Sequence, residues 1–209
     1  MSLARGQALV IPGPAGDLQA LVEDPDSSGA GLFGVLCHPH PLYGGSLDNK
    51  VVTTLARALL ELGIPSVRFN FRGVGSSAGS FDQGKGETDD AVAVADWAAA
   101  HWPGRAMVAA GFSFGGFVAL KLALSRHSAH LVTVAPAIRL FEPTLERPSC
   151  PWLIVQGEAD EVVDPNDVAS WAATLTPPPH LVMLPGVGHF FHGRLNDLRE
   201  AVVDAIRNG

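Results

Sequence analysis

Gly111-Phe112-Ser113-Phe114-Gly115 decides the fold of this chain. It follows an apolar run, Ala106 to Ala110, and opens a helical pattern from Gly116 to Leu124. A serine between two glycines at a strand-to-helix turn is a nucleophile-elbow arrangement. A turn that sharp strains the serine backbone, and side chains two residues to either side would collide, so both positions need glycine. The turn lifts the Ser113 hydroxyl above the sheet, at a helix N-terminus whose free N–H groups suit developing negative charge. The pentapeptide also occurs by chance in loops, and its setting between strand and helix gives it weight.

Outward from the elbow, apolar runs alternate with helical patterns, which implies βαβ units and a mainly parallel sheet. Ala8–Ile11 and Leu18–Val22, joined by Pro12-Gly13-Pro14-Ala15-Gly16, read as an antiparallel hairpin at the sheet edge. Strands are expected at Leu32–Cys37, Ser66–Phe71, Arg105–Ala110, Leu131–Ala135, Trp152–Gln156 and His180–Leu184. Helices are expected over Lys50–Leu62, Thr88–Trp102, Gly116–Arg126, Asn166–Leu175 and Leu195–Arg207, the first stopped by Gly63. The expectation is a mostly parallel α/β sheet of about seven or eight strands with helices on both faces, in one domain over residues 1–209. Only some fifteen residues separate Ala135 from Pro151, too few for a large lid domain.

A chain of 209 residues can bury roughly 70% of the surface its unfolded form exposes. A formal charge of −7 argues against nucleic acid and anionic membrane surfaces as partners. No segment approaches the ~20 apolar residues needed to span a bilayer. Cys37 and Cys150 are too few for a disulfide framework and read as two buried free thiols. With an N-terminus lacking an apolar signal stretch, they favour a reducing, cytoplasmic setting.

A serine hydroxyl needs an adjacent base to be nucleophilic at neutral pH. In this fold type the order along the chain is Ser, then Asp or Glu, then His. Gln156-Gly157-Glu158-Ala159-Asp160 leaves the penultimate strand and puts Asp160 in the loop at its end. Gly186-Val187-Gly188-His189-Phe190 follows the last strand and puts His189 in the matching loop. Residues at the carboxyl ends of parallel strands can converge, so Ser113, Asp160 and His189 form the candidate catalytic set. Asp164 rivals Asp160, but it stands just before Pro165, where it or Asn166 suits a helix cap. Glu158 and Glu161 read as solvated loop charges.

With these residues in place, the chain resembles a small member of the α/β-hydrolase superfamily, close to the lidless dienelactone-hydrolase-like esterases. The likeness runs from Leu32 to the C-terminus. The narrower pattern His38-Pro39-His40-Pro41-Leu42-Tyr43-Gly44-Gly45-Ser46, with Gly188-His189-Phe190-Phe191-His192-Gly193, resembles a group of small predicted hydrolases. Two positions depart from the common pattern. Pro39 stands where glycine commonly follows the strand-end histidine, and Asn70 where aspartate often precedes Arg72-Gly73-Val74-Gly75.

An oxyanion hole needs two backbone N–H donors. One is expected from Phe114, directly after the nucleophile, and the other from the loop after Leu32–Cys37. Pro39 and Pro41 have no N–H, which leaves His40 and Leu42; counting from the strand end favours His40. Tyr43, Phe112 and Phe190 are candidates for an apolar substrate pocket, or for core. His38 and His40 without a nearby carboxylate cluster do not make a metal site; His38 is expected to pack under the loop through its ring nitrogens. The glycines at Gly73–Gly75 and Gly84–Gly86 lack the pattern of a phosphate loop, and no cofactor is expected. Arg72 could take a substrate carboxylate, but pairing with Glu87, Asp89 or Asp90 is its expected use. The reading is a serine hydrolase of carboxylic esters with short or compact acyl groups and a small-molecule substrate. Thioesters and lactones share the chemistry, and a non-catalytic ligand-binding protein of the same fold is the rival from another class.

Overall fold

Seven cross-strand pairs on either side of Pro14-Ala15 start the sheet. A computed structural model describes residues 6–26, 29, 31–140 and 147–208. In it β1 (Gln7–Gly13) and β2 (Gly16–Glu23) pair antiparallel, from Gln7 opposite Val22 to Gly13 opposite Gly16. Then come β3 (Leu32–Cys37), α1 (Lys50–Glu61), β4 (Ser66–Phe69), α2 (Lys85–His101), β5 (Ala106–Phe112) and α3 (Phe114–Ser125). They are followed by β6 (Ser128–Val134), β7 (Trp152–Gly157), α4 (Pro165–Thr174), β8 (His180–Leu184) and α5 (Leu195–Asn208). Short 3₁₀ turns occupy Pro41–Tyr43 and Ile138–Leu140.

The eight strands lie in the order β1-β2-β4-β3-β5-β6-β7-β8. β2 runs antiparallel to β4, whereas β4, β3, β5, β6, β7 and β8 are mutually parallel. Helices cover both faces, because a parallel sheet buries apolar residues on each side. On one face Ala91, Val94, Val118, Leu122, Val168 and Ala172 of α2, α3 and α4 pack on Val35, Phe69, Ala109 and Ile154. On the other, Val51, Leu55 and Leu59 of α1 and Leu198, Val202 and Val203 of α5 pack on Leu36, Val108, Val132 and Val155. Each valine, leucine, isoleucine or phenylalanine among them, fully buried, contributes about 1.5–3 kcal/mol. Among the described residues no helix is long and apolar enough to cross a membrane. No lid domain follows β6 among the described residues; residues 141–146 lie outside the described set, as do the N-terminal residues 1–5.

β5 runs on to Phe112, α3 starts at Phe114 and β6 starts at Ser128, each a few residues beyond expectation, and side chains explain two further differences. β4 ends at Phe69 rather than Phe71 because side chains capture the donors that would extend its ladder with β2. Asn70 N–H still reaches the Gln19 carbonyl opposite it at 2.8 Å, but Gln19 N–H goes to Ser77 Oγ at 2.9 Å and Phe71 N–H to His38 Nε2 at 3.0 Å. α2 begins at Lys85 rather than Thr88. The buried Glu87 carboxylate reaches back to accept the Gly84 N–H at 2.7 Å and the Asp82 N–H at 2.8 Å, satisfying donors at the helix start. Arg72 explains why the start of that helix contains Gly86: its guanidinium occupies the space a side chain there would need. The same guanidinium grips the fully buried Asp90 through Nε at 3.0 Å and Nη2 at 2.7 Å, so Arg72 is a wall of the fold.

Candidate active site

At the carboxyl edge of the parallel strands, the elbow takes the form its sequence dictates. Ser113 has φ 55° and ψ −116°, a conformation rare outside glycine. Hydrogen bonds hold that strain in place: Ser113 N–H donates to Val134 O at 2.8 Å, and Ser113 O accepts from Gly116 N–H at 2.9 Å and Ala137 N–H at 3.2 Å. A methyl group on Gly111 would run into the Gly115 carbonyl, and one on Gly115 into the Cys37 and His38 carbonyls. Glycine at these two positions therefore lets α3 close on β5 and on the loop after β3.

The loops after β7 and β8 are stitched together. Glu158 N–H donates to Leu184 O and Ala159 N–H to Val187 O, each at 3.0 Å. A side chain on Gly157 would strike the Val187 carbonyl. Asp160 and His189 are thereby brought together. His189 Nδ1 lies 2.8 Å from Asp160 Oδ2, and His189 Nε2 lies 3.2 Å from Ser113 Oγ. An ionised carboxylate only accepts, so Nδ1 carries the proton and Nε2 presents its lone pair to the serine hydroxyl.

Asp160 and His189 are both buried. Burial alone would raise the Asp160 pKa. The His189 hydrogen bond and the N–H groups of Val163 and Val162 outweigh it, holding the carboxyl below its ordinary value. Asp164 instead caps α4, accepting the Asn166 N–H at 2.9 Å.

Glu161 departs from the reading of a solvated charge. It is exposed, but its Oε2 accepts the His189 backbone N–H at 3.2 Å. Phe191, which the sequence reading assigned no role, is fully buried with φ 53° and anchors the histidine loop in the core. Phe112 is corrected from pocket candidate to core. As the last residue of β5 it points to the α1/α5 face, wholly buried, with its ring centroid 5.0 Å from that of His189. Tyr43 and Phe190 do reach solvent, at 87% and 45% exposure.

The loop after β3 carries the candidate oxyanion donors. Leu42 N–H is engaged by its own turn, donating to His40 Nδ1 at 3.2 Å. Among the described residues nothing accepts the N–H of His40 or of Phe114. The His40 ring packs 5.0 Å from Phe114 and 4.8 Å from Phe81, so the loop rests on the start of α3. Asn70 ties the same loop to the hairpin: its Oδ1 accepts Leu47 N–H at 2.8 Å and its Nδ2 donates to Gln19 Oε1 at 2.9 Å. Asparagine serves where aspartate could not, since one of the two contacts needs a donor.

His38 locks the loop from beneath. Its Nε2 accepts Phe71 N–H, so its Nδ1 donates to Pro39 O, 2.6 Å away. Burial pushes its pKa down to about 4, with the Pro39 carbonyl pulling the other way. The imidazole is thus neutral in the fold, while the unfolded chain takes up a proton near 6.5. Stability tied to His38 is complete above about pH 6.5 and is lost as pH falls toward 4, by roughly 3 kcal/mol over that window. In His38→Gln, whose amide can make both bonds, the stability gap to the native chain should narrow by roughly 2–3 kcal/mol between pH 7 and pH 4.5. Urea unfolding at each pH measures it, and a constant gap would contradict this account of His38.

Residues 16–144 match the model of a family described as X-Pro dipeptidyl-peptidase (S15 family). The chain belongs to that family, within the α/β-hydrolase superfamily. It is similar to a crystal structure of a lidless α/β serine hydrolase from Xanthomonas campestris, with 45% identity and a TM-score of 0.93 over 99% of this chain and 96% of that one. An α/β serine hydrolase homologue from Coxiella burnetii is 43% identical, with a TM-score of 0.91 over 98% and 99% of the two chains. An uncharacterized protein of Rickettsia prowazekii is 33% identical over 205 residues, 93% of this chain and 86% of its own. The chain is accordingly a hydrolase of the lidless α/β kind.

Proposed function

We propose that this hydrolase cleaves carboxylic esters with short or compact acyl groups through Ser113, His189 and Asp160. The observation that carries the reading is the unbroken relay from Ser113 Oγ through both nitrogens of His189 to the buried Asp160 carboxylate. Ser113 Oγ attacks the acyl carbon while His189 Nε2 takes its proton, and Asp160 stabilises the imidazolium that forms. The tetrahedral oxyanion is held by the N–H groups of Phe114 and His40; removing one such donor typically costs ~2.7–4 kcal/mol of barrier. Collapse expels the alcohol, which receives the proton from His189. Water activated by the same nitrogen then releases the acid from the acyl-enzyme and restores the serine.

Three features support a small, neutral, apolar substrate. Tyr43, Phe190 and Leu42, 67% exposed, put apolar surface on the loops that carry the site. Three clefts, of about 550, 330 and 200 Å³, lie away from Ser113, the first of them at the amino ends of β6, β7 and β8, so none of these three serves as an acyl tunnel. Among the described residues no further domain stands over the elbow to grip a peptide. Both cysteines are buried free thiols, consistent with work in a reducing, cytoplasmic compartment.

A substrate panel tests the assignment. p-Nitrophenyl acetate and butyrate should give the highest kcat/KM, falling about tenfold or more by the decanoate. A faster acyl thioester or lactone would move the substrate class within the same chemistry. Preference for an X-Pro p-nitroanilide would make the chain a peptidase like its family's description, and turnover of none would favour the ligand-binding reading.

A further inference from the structure

The serine, imidazole and carboxylate do not account for one buried polar group beside them. Gln156 is fully buried near the end of β7, inside the run Trp152–Gly157. Its Nε2 lies 2.9 Å from Asp160 Oδ2, 3.3 Å from Gly157 O and 3.4 Å from Val163 O. The amide can face only one way, since turning it would press Oε1 against three oxygens that only accept. In this orientation Oε1 has no partner among the described residues. A buried acceptor that no protein group satisfies is a stability penalty, so leucine or methionine would suit the fold better at this position.

The contact that offsets the penalty is the one to Asp160. Oδ1 of that carboxylate accepts from Val162 and Val163 N–H, each at 2.8 Å. Among the described residues Oδ2 accepts only from His189 Nδ1 and Gln156 Nε2. We infer that Gln156 is a positioning residue: its neutral amide aims Asp160 Oδ2 at His189 and sets how strongly that oxygen holds the imidazolium. The inference rests on the triad reading proposed above. Without the amide donor, Oδ2 keeps one partner, becomes more electron-rich and is free to swing. With a glutamate there, a second carboxylate would crowd the same oxygen.

The test compares Gln156→Met, Gln156→Leu and Gln156→Glu with the native chain on p-nitrophenyl acetate. Rates are expressed per site titrated by a fluorophosphonate, so that misfolded protein is not counted. Met and Leu should lower kcat 10–100-fold through misalignment, with KM within about twofold. The acid limb of kcat/KM should move to higher pH, and further in Gln156→Glu than in the other two. The downfield proton resonance of the His189–Asp160 bond should shift in each variant. Variants matching the native chain in kcat, acid limb and resonance would overturn the inference and leave Gln156 a packing residue. Ser113→Ala, run in parallel, separates the two claims. If it is inactive while the Gln156 variants are unchanged, this inference alone falls; if it retains turnover, the triad reading falls and takes this inference with it.

Discussion

Ser113→Ala is expected to lower kcat for an activated ester by on the order of 10⁶. The size follows from the way the three groups act as a unit. Without Oγ, the proton acceptor at His189 Nε2 has nothing to activate on the chain, and the acyl-enzyme cannot form. Whatever rate survives would come from the proposed Phe114 and His40 donors and from binding, which together would sustain only a small residual over the uncatalysed reaction. KM or Kd for a substrate analogue should change little, because alanine removes one atom from a rigid turn. The Ser113 backbone already adopts positive φ and is held by three main-chain hydrogen bonds, none of which involves its side chain. The variant should therefore fold, and its thermal midpoint should stay near that of the native chain.

The second large effect separates two aspartates four residues apart. Asp160→Asn should reduce kcat about 10⁴-fold, since an amide in place of Oδ2 favours the wrong tautomer of His189. It would also lose the charge that stabilises the imidazolium. Asp164→Asn should leave kcat within about twofold and stability within about 0.5 kcal/mol, because asparagine caps a helix as well as aspartate. The contrast rests on what each carboxylate touches: Asp160 faces His189 Nδ1 at 2.8 Å, and Asp164 faces Asn166 N–H at 2.9 Å. Near-native turnover in Asp160→Asn with loss in Asp164→Asn would reverse the two roles.

Much of this was legible in the residues themselves, and the limits have physical causes. Periodicity and turn chemistry locate the hairpin, the parallel strands and the helices, since buried strands and amphipathic helices repeat differently. The spacing of glycines about Ser113, and loops following β7 and β8, mark the three candidate groups before any coordinates. What pattern could not reach is side-chain capture of backbone donors. His38 taking Phe71 N–H shortens β4, whose residues read as strand to Phe71, and Glu87 taking Gly84 N–H lengthens α2 into what reads as glycine-rich loop. Phe112 adjoins the nucleophile in sequence and so reads as pocket wall, but strand alternation turns it beneath His189. Gln156 is hardest to find, because a single amide within an apolar strand has no periodic signature. Only its distance to Asp160 distinguishes it. Glu161 is similar: it has the composition of a solvated loop, and its bond to the His189 N–H appears only once two loops are brought together.

The central claim is that Ser113 is an activated nucleophile, and the most direct measurement is the site of covalent capture by a fluorophosphonate. Peptide mapping by mass spectrometry should find one adduct per chain, on the peptide containing Ser113, absent in Ser113→Ala and strongly slowed in His189→Ala. An unlabelled native chain that is folded, or an adduct on any other residue that persists in Ser113→Ala, would contradict the account.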